Sequence, residues 1–402
     1  MKHRVIILFF ILIFLFYIFN TKIFENKETF LTYYLPFYNV ESSLLNNFYK
    51  YHNYNKNYFK HKIDFNKLVI GSSPYSFIFN KIISRIIINK TLNNEISSII
   101  IKNRMKSINL LYENKINLLI VNLLLISEYN QKYSNRLDTM YVISNLYKSY
   151  LIVMTKLKYN IYSLDKIPYQ TKIGILNEED SIYFYINKLL KDLNYKKDDM
   201  KIIIYNSLKE LHKGLLNDEV NVIIHGTSLP NNELASFINY DYTREIIIIP
   251  FKLEQQLQES FLAKNSFFEI DTFDLNQISA SYLPKKFSNY YYFTYKPDMP
   301  ILSYQHYLIT NNKIDNETVS NITSVLLENI SAINNILPTE FKIERIGPRP
   351  NISRYILYNP TTLKIFEKYG YITNNSNPNC KLLVGVKECT NKTLENNGLL
   401  LK

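Results

Sequence analysis

Short apolar runs alternate with amphipathic stretches from Asp64 onward, and this alternation constrains the fold more than any other feature of the chain. An apolar run bounded by turn residues predicts a buried strand, whereas apolar residues three and four positions apart predict a helix. The first group of elements comprises strands at Leu68–Ile70, Glu95–Ile101 and Lys115–Val121 and helices at Tyr75–Ile88 and Ser107–Tyr112. Strands that alternate with helices indicate an α/β fold.

A second group of strands follows the extended stretch Ser149–Leu157. Ser207 and Glu210 form an S-x-x-E capping box that predicts the start of a helix within this group. The strands are predicted at Lys172–Leu176, Lys201–Tyr205, Val220–Ile224 and Glu245–Ile249, with further helices over Ile182–Leu193 and Leu229–Asn239. We therefore predict two lobes, each a mixed sheet flanked by helices. Residues 64–158 and 250–372 form the first lobe, residues 159–249 form the second, and Ser149–Leu157 and Glu245–Ile249 form the hinge.

The C-terminal part is predicted to contain two helices. Apolar residues recur at helical spacing over Val319–Ile336. Asn359 occupies an N-cap position, Pro360 the first helical position and Gly370 the stop, so a final helix is predicted between them. Residues 373–402 are predicted to form an irregular tail.

The N-terminus carries basic residues at positions 2–4, followed by an unbroken apolar run, Val5–Phe19. As a helix this run would span about 22 Å, between the length of a signal-peptide core and that of a full membrane span. Residues 1–24 are therefore predicted to be a signal anchor or a signal peptide. The absence of a small-residue cleavage site in Asn20–Phe30 favours the anchor. Membrane attachment through residues 5–19 would place the bulk of the chain outside the cytoplasm, whereas cleavage would make it secreted or periplasmic.

The composition of the chain limits the classes of partner that we expect. The chain of 402 residues is 47% hydrophobic and carries a net charge of +12. Such a charge could mark a nucleic-acid, anionic-lipid or acidic-solute partner, but Lys-rich coding explains much of it. Residues 25–63 interleave aromatic and basic side chains and are predicted to be a tether outside the cell, where nucleic acid is rarely met. Cys380 and Cys389 could close a small disulfide loop in an oxidising compartment. No metal or cofactor site is predicted, because two cysteines without a nearby histidine are too few ligands for zinc.

The order of these elements resembles the TAXI family, the solute receptors of TRAP transporters, over residues 67–372. Four passages carry the resemblance: LVIGSSPYSFIFNKI, KNRMKSINLLYENKINLLIV, YSLDKIPYQTKIGILNEEDSIYFYINKLL and ILYNPTTLKIFEKYGYI. The resemblance implies a two-lobed periplasmic-binding-protein-like fold of type 2. It also implies capture of a small organic anion, such as a carboxylate or an amino acid, and delivery of that anion to a membrane permease.

Candidate ligand-binding residues follow the strands of both predicted lobes. Loops at the carboxyl ends of strands present backbone N–H groups and helix N-termini, which suit a carboxylate. The candidates are Ser72, Ser73, Tyr75, Ser107, Asn109, Ser181, His225 and Thr227. The alternative interpretation is that the serines are helix caps and that His225 is a structural residue.

Two departures from the family pattern bear on the ligand. Positions that are glycine in the family are Pro74, Glu179 and Asp180 here, and the histidine of the last motif is Asn359. Acids beside a helix N-terminus would repel a bound carboxylate more strongly than the helix dipole attracts it. We therefore expect these acids to face solvent, or the ligand to be neutral or cationic at this lobe.

Two function classes stay open at the level of sequence. The first is a solute receptor for uptake, and the second is a degenerate binding fold that serves as a membrane-anchored interaction module. An enzyme is not predicted, because the chain has no G-x-x-x-x-G-K-S/T, H-E-x-x-H or G-x-S-x-G motif.

Overall fold

The computed structural model describes residues 68–91, 96–177, 182–193, 195–196, 199–229, 231–240, 245–251, 253, 255–273, 299–337, 343, 347, 352 and 355–371. Within these residues eleven strands form one mixed sheet. The strands are β1 (Leu68–Ser72), β2 (Ile96–Ile100), β3 (Leu118–Asn122), β4 (Met140–Lys156), β5 (Thr171–Leu176), β6 (Met200–Tyr205), β7 (Val222–Thr227), β8 (Ile246–Ile248), β9 (Glu269–Phe273), β10 (Met299–Asn311) and β11 (Leu357–Tyr358).

Helices flank this sheet along the whole described chain. They are α1 (Phe77–Thr91), α2 (Arg104–Tyr112), α3 (Leu123–Leu137), α4 (Ile186–Asp192), α5 (Leu208–Leu216), α6 (Asn232–Tyr240), α7 (Gln255–Lys264), α8 (Asn316–Glu328), α9 (Ile330–Ile336) and α10 (Pro360–Lys368). Single 3₁₀ turns lie at Leu157–Tyr159 and Leu164–Lys166.

The main path of the sheet runs in the order β2-β1-β3-β10-β4-β7-β5-β6. Strands β1, β2 and β3 are mutually parallel, as are β5, β6 and β7. Strand β10 runs antiparallel to both β3 and β4, and β4 runs antiparallel to β7. Strands β8 and β9 join β4 and β10 in antiparallel pairs, and β11 joins β4 in a parallel pair.

Strand β4 divides the sheet into two parts. Its first part, Met140–Tyr150, pairs with β10, and its last part, Tyr150–Thr155, pairs with β7. We call β2, β1, β3, β10 and the first part of β4 the first segment. The last part of β4 with β7, β5, β6 and β8 is the second segment. The two segments thus share one continuous strand.

Each segment has an apolar core between sheet and helices. In the first segment, Phe79, Ile83 and Ile87 of α1 are fully buried. In the second, the core includes Leu211 and Leu215 of α5 and residues of β4, β7, β8 and α6. Each fully buried side chain of this size contributes roughly 1.5–3 kcal/mol to folding, so the helices are held on the sheet mainly by these contacts.

The α/β class predicted from the sequence is confirmed, as is the C-terminal helix with its Asn359 cap, whose Oδ1 accepts a hydrogen bond from the Thr361 amide. Three predictions were wrong in detail. The stretch Val319–Ile336 forms two helices that meet at Asn329, where the backbone leaves the helical conformation. The helix predicted over Ile182–Leu193 begins only at Ile186. The strand predicted at Ser149–Leu157 begins nine residues earlier, at Met140.

Several predicted features lie outside the described residues. They are the membrane segment at residues 5–19, the tether at 25–63, Ser181, the tail at 373–402, and the Cys380 and Cys389 pair. Among the residues that are described, no helix is long and apolar enough to span a bilayer.

Candidate functional site

Three strand ends meet at the middle of the two long strands. Strand β1 ends at Ser72, and β3 ends at Asn122, opposite His306 of β10. Strand β7 runs the other way along β4 and ends at Thr227, opposite Tyr150. The carboxyl ends of strands from both segments therefore converge on one place, where β4 passes from one segment to the other beside β10. In open α/β sheets, ligands bind at the carboxyl ends of strands.

A line of hydrogen-bonding side chains begins on the first segment at this place. The Ser73 and Ser76 hydroxyls lie 3.1 Å apart, just before α1. Tyr147 of β4 donates its hydroxyl hydrogen to Ser76 Oγ over 2.6 Å. Burial raises the pKa of Tyr147 well above its usual range, so the phenol stays a neutral donor.

His306 continues this line toward the second segment. Its ring stacks on Tyr147 with centroids 4.3 Å apart. His306 Nε2 lies 2.9 Å from Ser149 Oγ, and Ser149 Oγ lies 3.2 Å from Ser228 Oγ, just past the end of β7. We call Ser73, Ser76, Tyr147, His306, Ser149 and Ser228 the central polar chain. All but Ser73 are less than a tenth exposed, so the chain is an internal connection between the segments.

His306 is held in its neutral form. Burial lowers its pKa to about 3, so the ring carries one donor and one acceptor nitrogen at neutral pH. Its second ring nitrogen, Nδ1, has no hydrogen-bond partner among the described residues. In the described part of the structure, it is the only side-chain polar atom of the central polar chain that is buried and lacks a hydrogen-bond partner.

Gly226 allows the two segments to approach closely beside this chain. A Cβ atom at Gly226 would lie 2.0 Å from the hydroxyl oxygen of Tyr304, a buried residue of β10. Tyr304 also lies near His306, with ring centroids 5.9 Å apart. Only glycine leaves room for the tyrosine, so position 226 is set by packing against β10.

Three of the predicted ligand residues are engaged inside the first segment. Ser72 is fully buried, and its Oγ accepts a hydrogen bond from Asn80 Nδ2 over 3.0 Å. Ser107 Oγ donates to the Arg104 carbonyl over 2.5 Å. Asn109 Oδ1 accepts from the Tyr129 hydroxyl over 2.8 Å and from Arg136 over 3.0 Å. Ser72 thus joins β1 to α1, Ser107 bonds within α2, and Asn109 joins α2 to α3.

The other predicted residues divide between the site and its surroundings. Ser73 belongs to the central polar chain, and Tyr75, 53% exposed, lies two residues further on. Thr227 Oγ1 accepts from Asn231 Nδ2 over 2.9 Å, beside Ser228. His225 lies in the interior of the second segment, 5.7 Å from His212 between ring centroids. The structural interpretation of His225 fits this position better than a ligand contact.

Sequence reasoning missed most of the central polar chain and also Tyr304, which lies beside it. Tyr147, Ser149, Tyr304 and His306 lie on the two long strands, and Ser228 follows β7. A usable signal was present: Tyr304 and His306 stand two positions apart in a strand, as do Tyr147 and Ser149, and such residues share one face. Polar side chains that recur with this period inside an apolar strand indicate a functional face.

Lys148 lies between Tyr147 and Ser149 and therefore points to the opposite face of β4. There its Nζ contacts Asp271 at 2.6 Å and Glu269 at 3.3 Å, both on β9. The two faces of β4 and β10 thus differ, because one face carries neutral polar groups and the other carries a cluster of charges.

Two further contacts join the segments away from the central polar chain. Tyr185, just before α4, donates its hydroxyl hydrogen to the Leu124 carbonyl of α3 over 2.6 Å. The Arg104 guanidinium lies 4.1 Å from the centre of the Phe184 ring and bonds Glu128 at 2.7 Å. Burial raises the pKa of Glu128 although Arg104 opposes the shift.

No family model matches this chain, and no curated protein matches it. The assignment to the TAXI family therefore stays a prediction.

Similar solved structures include solute-binding proteins, all at low identity. An ancestral arginine-binding protein bound to arginine is 13% identical, with 70% of this chain and 100% of that chain covered and a TM-score of 0.40. A substrate-binding protein of an ABC uptake transporter from Streptococcus pneumoniae with bound histidine is 11% identical, with 69% and 95% covered and a TM-score of 0.42. XAC2383 from Xanthomonas citri bound to chloride ion is 8% identical, with 76% and 99% covered and a TM-score of 0.46. At these scores the likeness is distant.

Proposed function

We propose that this chain is a two-lobed solute-binding protein that closes its segments around a small molecule at the central polar chain. The observation that carries the proposal is the convergence of strand ends from both segments on hydroxyl and imidazole groups that span the two. In this proposal the lobes are residues 64–158 with 250–372, and residues 159–249. Binding rather than catalysis is the proposed activity.

The shared strand supports a hinge motion. Strand β4 belongs to both segments, so a small change in its twist would rotate one segment relative to the other. The central polar chain lies on that strand. A solute that entered there would replace bonds such as Ser149 to Ser228 with its own, because serine hydroxyls rotate freely to serve as donor or acceptor.

Contacts farther out support a closed state of this receptor. The Tyr185 bond to Leu124 and the Arg104 stack on Phe184 each join one segment to the other. Both would break when the segments separate. We propose that they stabilise closure over the solute, while the central polar chain provides recognition.

The proposed biological setting is capture of the solute outside the cytoplasm and its transfer to a membrane permease, with TRAP-type uptake as the form that the sequence resemblance implies. The sequence predicted an organic anion as the solute. The charge of the solute is the most testable part of that expectation.

A second function is favoured by one specific observation. Ser72, Ser107 and Asn109, which the sequence pointed to as ligand contacts, are bonded inside the first segment. A fold that has lost its ligand would fill its site with such contacts and keep the surface as an interaction module.

Thermal unfolding of the full-length chain with a panel of sugars, nucleosides, amino acids and dicarboxylates distinguishes the two functions. A receptor is stabilised by the solute that it binds, because binding to the folded state alone raises the unfolding temperature. In the double variant Ser149→Ala and Ser228→Ala, affinity for that solute should fall by about tenfold, or about 1.4 kcal/mol. The control Ser163→Ala removes a half-buried hydroxyl bonded to Asp165 and should leave affinity unchanged.

Stabilisation that persists undiminished in the double variant would place the ligand elsewhere. Failure of every solute in the panel to stabilise the chain would favour the interaction module.

A further inference from the structure

We infer that the solute bound at the central polar chain is an uncharged, hydrogen-bonding molecule, such as a polyol, sugar or nucleoside, and not a carboxylate. This inference rests on the proposed binding function and names the chemical class of its ligand.

At each helix N-terminus of the site, at least one amide hydrogen already has an acceptor. The Ser76 amide, before α1, donates to the carbonyl and the hydroxyl oxygen of Ser73, at 3.2 Å and 3.3 Å. The Leu125 amide of α3 donates to Asn122 Oδ1 over 2.9 Å. A carboxylate held by a helix N-terminus needs such amides for itself, so it would have to displace a cap at each helix.

The helix N-terminus at the site on the second segment, that of α6, is capped in the same way. After β7, the Leu234 amide of α6 donates to Asn231 Oδ1 over 2.9 Å. Asn231 also bonds Thr227 through its Nδ2 atom, so both ends of this amide are used. The helix that follows Ser228 therefore has at least one of its first-turn amides bonded to its own cap.

The buried cations of the described residues are all matched by carboxylates. Arg104 bonds Glu128 at 2.7 Å, and Lys156 bonds Asp218 at 2.7 Å. Lys148, the cation closest in sequence to the central polar chain, lies on the opposite face of β4 between two acids. In the described part of the site, each of these buried cations thus already has a carboxylate partner with which an anionic ligand would have to compete.

The side chains that line the meeting point are neutral donors and acceptors. They are serine hydroxyls, the phenols of Tyr147 and Tyr304, and the imidazole of His306, whose Nδ1 has no partner among the described residues. Transfer of a carboxylate from water into such surroundings is strongly unfavourable without a counter-charge, whereas a hydroxyl or amide loses only bonds that these groups can replace. Aromatic faces beside hydroxyls suit the mixed apolar and polar surface of a sugar or nucleoside.

Matched pairs of probes test the ligand class by calorimetry on the full-length chain. Glucose is compared with glucuronate, and uridine with uridine 5′-monophosphate. We expect the neutral member of at least one pair to bind at least about tenfold more tightly than its anionic partner, a difference of about 1.4 kcal/mol. Its affinity should change little between about 0.05 M and about 0.5 M salt, because screening acts on charged ligands.

Two variants locate the result. The double variant Ser149→Ala and Ser228→Ala should weaken binding of the neutral probe, and Lys148→Met should leave both its affinity and the neutral preference unchanged. Tighter binding of an anionic probe that is lost in the serine variants would overturn the ligand class and leave the binding function standing. Loss of binding in Lys148→Met would overturn it as well, since a cation would then recognise the ligand. Binding of neither member of either pair counts against both proposals.

Discussion

His306 and the pair His212 and His225 are all buried, but their surroundings differ. His306 lies between the two segments and bonds Ser149, next to the stacked ring of Tyr147. His212 stacks on Phe237 at 3.8 Å inside the second segment, with His225 beside it and apolar core residues around both. Burial of a histidine is therefore no mark of a site by itself, and a chain of polar partners that joins two segments is the more informative feature.

The largest expected effect is loss of stability in acid. Burial lowers the pKa of His225 to about 4 and that of His306 to about 3, and it lowers the pKa of His212 to about 2 with a further contribution from His225. Between the ordinary value near 6.5 and these lower values, the unfolded chain takes up protons that the folded chain refuses. The free energy of unfolding should therefore fall as the pH drops below about 6.5, by several kcal/mol in total at about pH 4.5.

Urea unfolding at a series of pH values measures this loss. The double variant His212→Leu and His225→Leu should flatten the dependence between about pH 6.5 and about pH 4.5, because the core pair no longer titrates. A dependence as steep in the double variant as in the parent chain would mean that other groups control acid stability. Glu128, whose pKa burial raises, opposes the trend in both chains.

Replacing Gly226 by alanine tests the close packing of β7, which carries His225, against β10, which carries His306. The new Cβ would lie 2.0 Å from the Tyr304 hydroxyl oxygen and 3.2 Å from its ring. Overpacking of this kind typically costs about 1–3 kcal/mol. Adding Tyr304→Phe removes the closest atom and should recover part of the loss, which makes a double-mutant cycle by urea unfolding the measurement. Additive losses without recovery would show that the backbone at Gly226 moves freely.

The sequence predicted the local elements well and the connections between them poorly. Helix α10 was found because Asn359, Pro360 and Gly370 each have a short-range role, and β5 because its apolar run is bounded by turn residues. Strand β10 was missed. It is buried on both faces, so it lacks the alternation by which a strand is recognised.

The candidate site could be found only in outline for a related reason. Ser73 follows β1 and Thr227 is the last residue of β7, and strand ends can be read from sequence. His306 and Ser149 are 157 positions apart, and no local pattern brings them together. Ser72 was predicted to bind a ligand because it follows an apolar run, but its hydroxyl bonds Asn80, one helix turn into α1.

Exchange of a histidine for leucine should have different consequences at His225, inside the second segment, and at His306, between the segments. His225→Leu fills an apolar position at pH 7 and should change the free energy of unfolding by about 1 kcal/mol or less, with solute binding intact. His306→Leu removes one of the two hydrogen-bond partners of Ser149 and should cost about 1–3 kcal/mol, with loss of solute binding. Urea unfolding and calorimetry on both variants measure the contrast. Equal losses of binding would remove the distinction drawn between the two environments.

The smallest effect isolates one bond of the central polar chain. Tyr147→Phe keeps the ring that stacks on His306 and removes only the hydroxyl that donates to Ser76 over 2.6 Å. A single neutral hydrogen bond contributes about 0.5–1.5 kcal/mol, so urea unfolding should show a loss of that size.

Tyr195→Phe is the matched control, because its hydroxyl bonds the Ile167 amide and the Leu164 carbonyl in the second segment. Both variants should lose stability, Tyr195→Phe the more because its hydroxyl makes two bonds, but only Tyr147→Phe should weaken solute binding, since its hydroxyl belongs to the chain between the segments. Equal affinity in the two variants would show that the Tyr147 hydroxyl has a structural role alone.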